Sequence, residues 1–146
     1  MTRRLHILCA SIALLMIVTF WITTVASESL AAPDTVARVK TAILWGMLVL
    51  VPAMAGAGIT GHRLARGWRL PQIRQKTRRM GVIAVNGLLV LLPSAVFLAL
   101  RAQAGLFDTW FYAVQAVELT AGAVNITLLG LNMRAGMALR LRRRPA

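Results

Sequence analysis

Hydrophobic residues are gathered along this chain in four long runs, not in the short alternations of a half-buried strand or the narrow stripe of a soluble helix. The runs cover about residues 5–26, 41–60, 80–100 and 109–131. Each approaches or exceeds the roughly 20 residues that a helix needs to cross bilayer hydrocarbon. The pattern predicts an all-α integral membrane protein with four transmembrane helices in an up-down antiparallel bundle, forming one domain over residues 1–146. Such crossings occupy nearly the whole chain and leave no room for a soluble catalytic domain.

The first run follows a basic start, Met1 to Arg4, and ends at Val25-Ala26-Ser27. A cleaved secretion signal has that order of parts, but its apolar region is about 7–15 residues long. The greater length here favours an uncleaved first span. Residues 27–35 read as a short polar link, and Arg38 and Lys40 then stand at the mouth of the second span. There their stems can lie along apolar surface while the charges reach headgroups.

The polar positions inside the runs carry the remaining information. In the fourth run Gln115, Glu118, Gly122, Asn125, Asn132 and Gly136 follow one another at helical steps, with Leu129 in the one apolar gap. That spacing puts them on one helix face. The face extends into residues 132–146, read as a helical extension followed by a basic tail. A carboxyl such as Glu118, roughly 13 Å along a helix that rises 1.5 Å per residue, belongs against protein or water, not lipid. The other helices are therefore expected to pack on this face.

The second run has a face of small residues, Gly46, Ala53, Ala57 and Gly61, suited to close helix approach. Pro52 removes one helical hydrogen bond within it, making close packing with a kink the first expectation and a hinge or a cavity wall the alternative. The third run holds Asn86, Pro93 and Ser94. Asn86 and Asn125 lie at similar depths from the same end of their spans, so antiparallel neighbours would pair their amides.

Composition agrees with the pattern, because 58% of residues are hydrophobic and only 14% charged. The net charge of +13 would suggest nucleic acid in a soluble protein. Here the positive residues gather beside span ends, which points to anionic membrane lipids and away from nucleic acid. Lys and Arg number two at the amino end, seven in the loop 61–79, five in the tail, and two and one in the other links. The positive-inside rule places both termini and the central loop in the cytoplasm of a bacterial inner membrane. Arg63, Arg66, Arg69, Arg74, Lys76, Arg78 and Arg79 are the expected lipid contacts. Trp68 suits a headgroup-level anchor, and Phe107, Trp110, Phe111 and Tyr112 make an interfacial belt.

Candidate chemistry is sparse. No cation is apparent at the depth of Glu118, so a protonated Glu118 donating to Ser94, Thr19 or a carbonyl freed by Pro52 or Pro93 is the structural expectation. Proton or cation handling is the functional alternative. His6 and His62 each sit at the cytoplasmic edge of a span and are the candidate ligands of a haem b. Interfacial histidines without a ligand are the simpler reading, and no metal site is expected from two histidines and the lone Cys9. Cys9 is read as a packing residue, with no partner for an intramolecular disulfide. No phosphate-loop, nucleophile-elbow or zinc-protease motif occurs, and there is no carboxylate pair for acid–base work.

In architecture the four short spans resemble small bacterial cytochrome b-type anchors and copper-resistance membrane proteins. Those proteins carry intramembrane histidines, which this chain lacks at mid-depth. The reading that fits best is a non-catalytic accessory, anchor or assembly subunit of a membrane complex or homo-oligomer. Its polar core would comprise Glu118, Asn125, Asn86, Gln115, Asn132 and Ser94. The alternatives are a small proton- or solute-coupled transporter using Glu118, a haem redox module using His6 and His62, and a lipid-responsive regulator acting through the basic loop.

Overall fold

The computed structural model describes residues 1–65 and 71–141. Arg66, Trp68, Arg69 and Leu70 of the central connection, and Arg142, Arg143, Arg144 and Pro145 of the tail, lie outside the described residues. So does the Arg140 side chain. The described chain is helical: α1 (Thr2–Leu30), α2 (Pro33–Ala65), α3 (Pro71–Asn86), a π-helical turn (Gly87–Leu91), α4 (Leu92–Gln103) and α5 (Thr109–Leu141). Four stretches are long and apolar enough to cross a membrane: Thr2–Leu30, Pro33–Leu64, Arg74–Gln103 and Thr109–Met137.

The helices run further than the hydrophobic runs. The polar link expected over residues 27–35 shrinks to Ala31 and Ala32. Ser27 stays helical because its hydroxyl donates to the Thr24 carbonyl at 3.1 Å, so its polarity is satisfied by its own helix. Pro33 opens α2 at the first helical position, where its missing N–H removes nothing and its fixed φ suits the helix. The central loop expected over 61–79 is largely helical too. Gly61 to Ala65 close α2, and Pro71 to Arg79 open α3.

The third span bends its hydrogen-bond pattern once. Pro93 has no N–H to return to Leu89, and its ring would crowd that carbonyl. The turn Gly87–Leu91 widens to π geometry just before it, which accommodates the proline without ending the helix. At the other end, α4 closes with Gly105 at φ +69°. Gly105 N–H donates to the Ala102 carbonyl at 3.1 Å, and Leu106 N–H to the Arg101 carbonyl at 2.9 Å. This Schellman closure uses a left-handed residue, the conformation glycine adopts without strain. Asp108 then caps α5, its Oδ1 accepting the Phe111 N–H at 3.0 Å. Asp108 also pairs with Arg101, whose guanidinium lies 5.3 Å from the Phe97 ring centre.

α1 and α2 make the most extensive helix pair, with early α1 beside late α2. Cys9 lies beside Gly56, His6 beside Gly61, and Phe20 beside Gly46. A Cβ at Gly46 would collide with Phe20 Cζ, so the ring occupies the space that glycine leaves. Ala53 and Ala57 are buried on the same side. Helices associate in lipid through such close packing, since water expulsion contributes little there. The main core joins Ala13, Ile17, Ile43, Met47, Leu50, Ile83 and Leu129. A smaller cluster of Val36, Leu98, Ala102 and Phe111 sits near the short links. Phe111 is thus wholly buried, unlike the belt residue expected, and stacks edge-on with Phe107 and Tyr112. Trp110 and Tyr112 remain exposed.

Candidate functional site: a buried polar ladder

The polar face of α5 turns inward. Gln115, Asn125 and Asn132 are buried, and so is Leu129 in the apolar gap. The face meets α1, α2 and α3 within the same chain, at two levels defined by hydrogen bonds.

At the level near the short links, Lys40 Nζ donates to Glu118 Oε2 at 2.9 Å. The Lys40 side chain is 1% exposed and that of Glu118 11%, so the ion pair is essentially dry. This corrects the expectation that no cation shares the depth of Glu118. It also removes the premise for a protonated Glu118 donating to Ser94 or Thr19. Thr19 is exposed, and its carbonyl accepts the Thr23 hydroxyl. Lys40 lies deeper than the mouth of the second span because the link is shorter than its polarity suggests. With α2 starting at Pro33, Lys40 is seven residues into the helix. At 1.5 Å per residue that is about 10 Å, close to the depth of Glu118 in α5.

Two more groups complete this level. Gln115, one turn before Glu118, donates its Nε2 to Glu118 Oε2 at 3.3 Å, while its Oε1 is buried without a hydrogen-bond partner. Glu28, in the last turn of α1, interacts electrostatically with both Lys40 and Glu118. One of its carboxyl oxygens, Oε1, is likewise buried without a partner. Sequence reading missed Glu28 and Lys40. The available signal was an acid and a base of opposite sign flanking the same tight connection.

A cavity of about 40 Å³ lies beside Glu118, lined by Trp21, Thr24, Met47, Leu91, Leu119 and Gly122 among others. It is mostly apolar and has space on the scale of water molecules. Trp21 forms part of its wall and donates its indole N–H to the Leu119 carbonyl at 3.0 Å, tying α1 to α5. Gly122 makes that contact possible, since a Cβ there would lie 3.0 Å from Trp21 Cδ1. A separate open cleft of about 450 Å³ lies at the link end, lined by Asp34, Arg38, Gln103 and Phe107 among others.

At the second level Asn86 Nδ2 donates to Asn125 Oδ1 and to the Ala121 carbonyl, both at 2.9 Å. Asn125 returns an N–H toward the Ile83 carbonyl at 3.5 Å and is fully buried. The two asparagines therefore meet at one depth, within a single chain. Two turns further along α5, Asn132 is buried with both amide atoms unpartnered. Ser94 is buried in α4.

The histidines are separated by their surroundings. His6 places Nδ1 3.1 Å from the Ala57 carbonyl and 3.2 Å from Thr60 Oγ1, so its ring is used in joining α1 to α2. His62 is exposed. Among the described residues no group of three or more His, Cys, Asp or Glu side chains is arranged to hold a metal ion. Arg63, Arg74 and Arg78 are exposed, and Lys76 and Arg79 half-buried. Lys76 reaches α5, where its Nζ would be 3.6 Å from a Cβ at Gly136.

Searches against protein-family models, curated proteins and solved structures return no match for this chain.

Proposed function

We propose that this protein is a non-catalytic module of the bacterial inner membrane, acting as an accessory, anchor or assembly subunit of a membrane complex or homo-oligomer. Its helices cross alternately up and down, with both termini and the basic α2–α3 connection in the cytoplasm. One observation carries the reading: the Lys40–Glu118 ion pair and the Asn86–Asn125 amide pair, the costliest polar groups of the spans, are satisfied by partners inside the chain. The flanks present large apolar side chains, including Leu15, Trp45, Leu48 and Leu89, each about two-thirds exposed. Such a surface suits lipid and other apolar helices. A solute path would call for a hydrated passage wider than the cavity of about 40 Å³ beside Glu118.

The charge asymmetry supports the orientation more strongly than a simple count. Lys40 and Arg101, two of the three positive residues near the short links, are paired with Glu118 and Asp108. Arg38 is left as the unpaired positive charge there among the described residues. The opposite end holds Arg63, Arg74 and Arg78, all exposed and suited to anionic lipid.

Gentle extraction from native membranes tests the proposal. The protein should migrate in an assembly well above its own 15.9 kDa, with other membrane polypeptides or further copies of itself. A lone chain with only lipid attached would overturn the subunit reading. Orientation is tested separately with single-cysteine variants in a Cys9→Ala background. A membrane-impermeant thiol reagent added to whole cells should label Ala32→Cys and Ala104→Cys, and leave Thr2→Cys unlabelled until the membrane is opened. The reverse pattern would overturn the topology.

A further inference from the structure

The inward faces of α3 and α5 continue past the asparagine level toward the basic end of the bundle. On α3, Lys76 and Arg79 stand seven and four residues before the fully buried Ile83, so they share its face. Both are half-buried. The facing surface of α5 carries Asn132, 4% exposed, and Gly136 one turn later. Lys76 Nζ would be 3.6 Å from a Cβ at Gly136. Side chains four apart on a helix stand about 5–6 Å from each other and lean toward its N-terminus. The ammonium is thus about one helical turn from the Asn132 amide, without bonding to it. Both amide atoms of Asn132 are sealed and have no partner among the described residues.

This level is the electrostatic opposite of the one at the link end, where Lys40 meets Glu118. Here two cations share a helix face and no acidic side chain can reach them. The four acids of the chain, Glu28, Asp34, Asp108 and Glu118, all lie toward the link end. Half-buried cations call for a counter-charge. A buried amide calls for an acceptor for its N–H and a donor for its carbonyl. A phosphodiester bearing a hydroxyl group meets all of these demands at once.

We propose that Lys76, Arg79 and Asn132 form a binding site for the headgroup of one anionic phospholipid, seated between α3 and α5 over Gly136. The phosphodiester oxygens accept from the Lys76 ammonium, the Arg79 guanidinium and Asn132 Nδ2, and a headgroup hydroxyl donates to Asn132 Oδ1. Lys76 has a flexible four-carbon stem, so its ammonium can lift from above Gly136 and let the phosphate down onto the amide. Depth favours a lipid over free phosphate. Lys76 and Asn132 both lie inside the membrane-crossing stretches, within a few residues of their basic ends, where headgroups stand. Charge favours an anionic lipid over a zwitterionic one, whose own ammonium would face the two cations. The site deepens the lipid-facing reading of the basic end and rests on it, but it does not depend on the subunit role.

The test is native mass spectrometry of the full chain, delipidated in detergent and then given equal amounts of phosphatidylglycerol and phosphatidylethanolamine. The wild type should retain one phosphatidylglycerol per chain in preference to phosphatidylethanolamine. Asn132→Leu leaves the charge unchanged and should weaken retention about tenfold, the lower end for a hydrogen bond to a charged group. Lys76→Gln/Arg79→Gln should weaken it about thirtyfold, the product of two cations each worth about fivefold at a headgroup surface. Arg3→Gln/Arg4→Gln removes the same charge from exposed residues at the same end and should leave retention unchanged. Equal loss in that control, or full retention in Asn132→Leu, would overturn the built site while leaving the basic end lipid-facing. Equal retention of the two lipids by the wild type would overturn both. Displacement by inorganic phosphate, but not by chloride at equal ionic strength, would overturn the lipid as the occupant. The wild-type comparison and Asn132→Leu, whose new side chain suits a membrane helix, keep the test decisive even if the double cation variant fails to fold.

Discussion

Breaking the Lys40–Glu118 pair from one side should be far more damaging than removing it altogether. Both side chains are nearly sealed, at 1% and 11% exposure, so neither partner can recover hydration when the other is lost. Removing one member of a buried pair costs about 3–5 kcal/mol, whereas replacing both with apolar groups of similar volume is often neutral or stabilising. The third charge makes the two single variants unequal. Glu118→Leu leaves Lys40 with Glu28 as an alternative counter-ion, so its cost should fall near about 3 kcal/mol, the lower end of that range. Lys40→Met leaves two carboxyls and no cation, and should approach about 5 kcal/mol. The double variant Lys40→Met/Glu118→Leu should return to within about 1 kcal/mol of the wild type. Equilibrium unfolding in mixed micelles, followed by helical circular dichroism, measures all four corners of the cycle. Fluorescence of variants that keep Trp21 as their one tryptophan supplies an independent probe, because its indole is bonded one residue from Glu118. Additive single effects, within the roughly 0.5 kcal/mol expected of independent sites, would refute the coupling. So would two single variants each costing less than about 1 kcal/mol, the ceiling typical of an exposed pair.

The glycines of α2 and the asparagine level give two further tests. Gly46→Ala sets a Cβ against the Phe20 ring and should lose about 1–3 kcal/mol through overpacking. Gly58→Ala meets nothing within 4 Å and should gain up to about 1 kcal/mol from helix propensity, so thermal unfolding of the two variants should move in opposite directions. A double-mutant cycle on Asn86→Leu and Asn125→Leu should give a coupling of about 0.6–1.7 kcal/mol, the range for hydrogen bonds between membrane helices. Zero coupling would mean that the amides do not meet in the folded protein.

The spans were legible because bilayer thickness imposes a length on apolar runs that no local detail can disguise. The inward face of α5 was legible for a similar reason, since a carboxyl and three amides at helical spacing have to find protein. Helix ends were less visible. Ser27, Glu28, Asp34 and Thr35 look like a loop by polarity, yet serine is satisfied within its own turn and Pro33 begins a helix readily. That misreading displaced Lys40 to the surface and hid the partner of Glu118. Phe111 was misplaced for a related reason. Four neighbouring aromatics and apolar residues look alike in sequence, and only the Asp108 cap fixes which of them turns inward. The π turn has a sequence cue in Pro93, but proline predicts only that the ladder is disturbed, not how it is repaired.

The π turn also governs how the third span tolerates changes in length. An unbroken 3.6-residue repeat from Ile83 would bring roughly positions 90, 94, 97 and 101 to the inner face. The buried positions are instead Leu91, Ser94, Ala95, Leu98, Ala99 and Ala102, which for the most part arrive about one residue late. The widened turn absorbs that extra residue without rotating either half of the span. Deleting one codon from residues 87–91 would therefore keep Ile83 and Leu98 facing inward, with Pro93 then forcing an ordinary kink. The same deletion a few residues earlier or later would turn one half by about 100° relative to the other. It would send either Asn86 or Leu98 toward the lipid. A frame-preserving deletion scan across the third span should thus show a single narrow window of survival, centred on this turn.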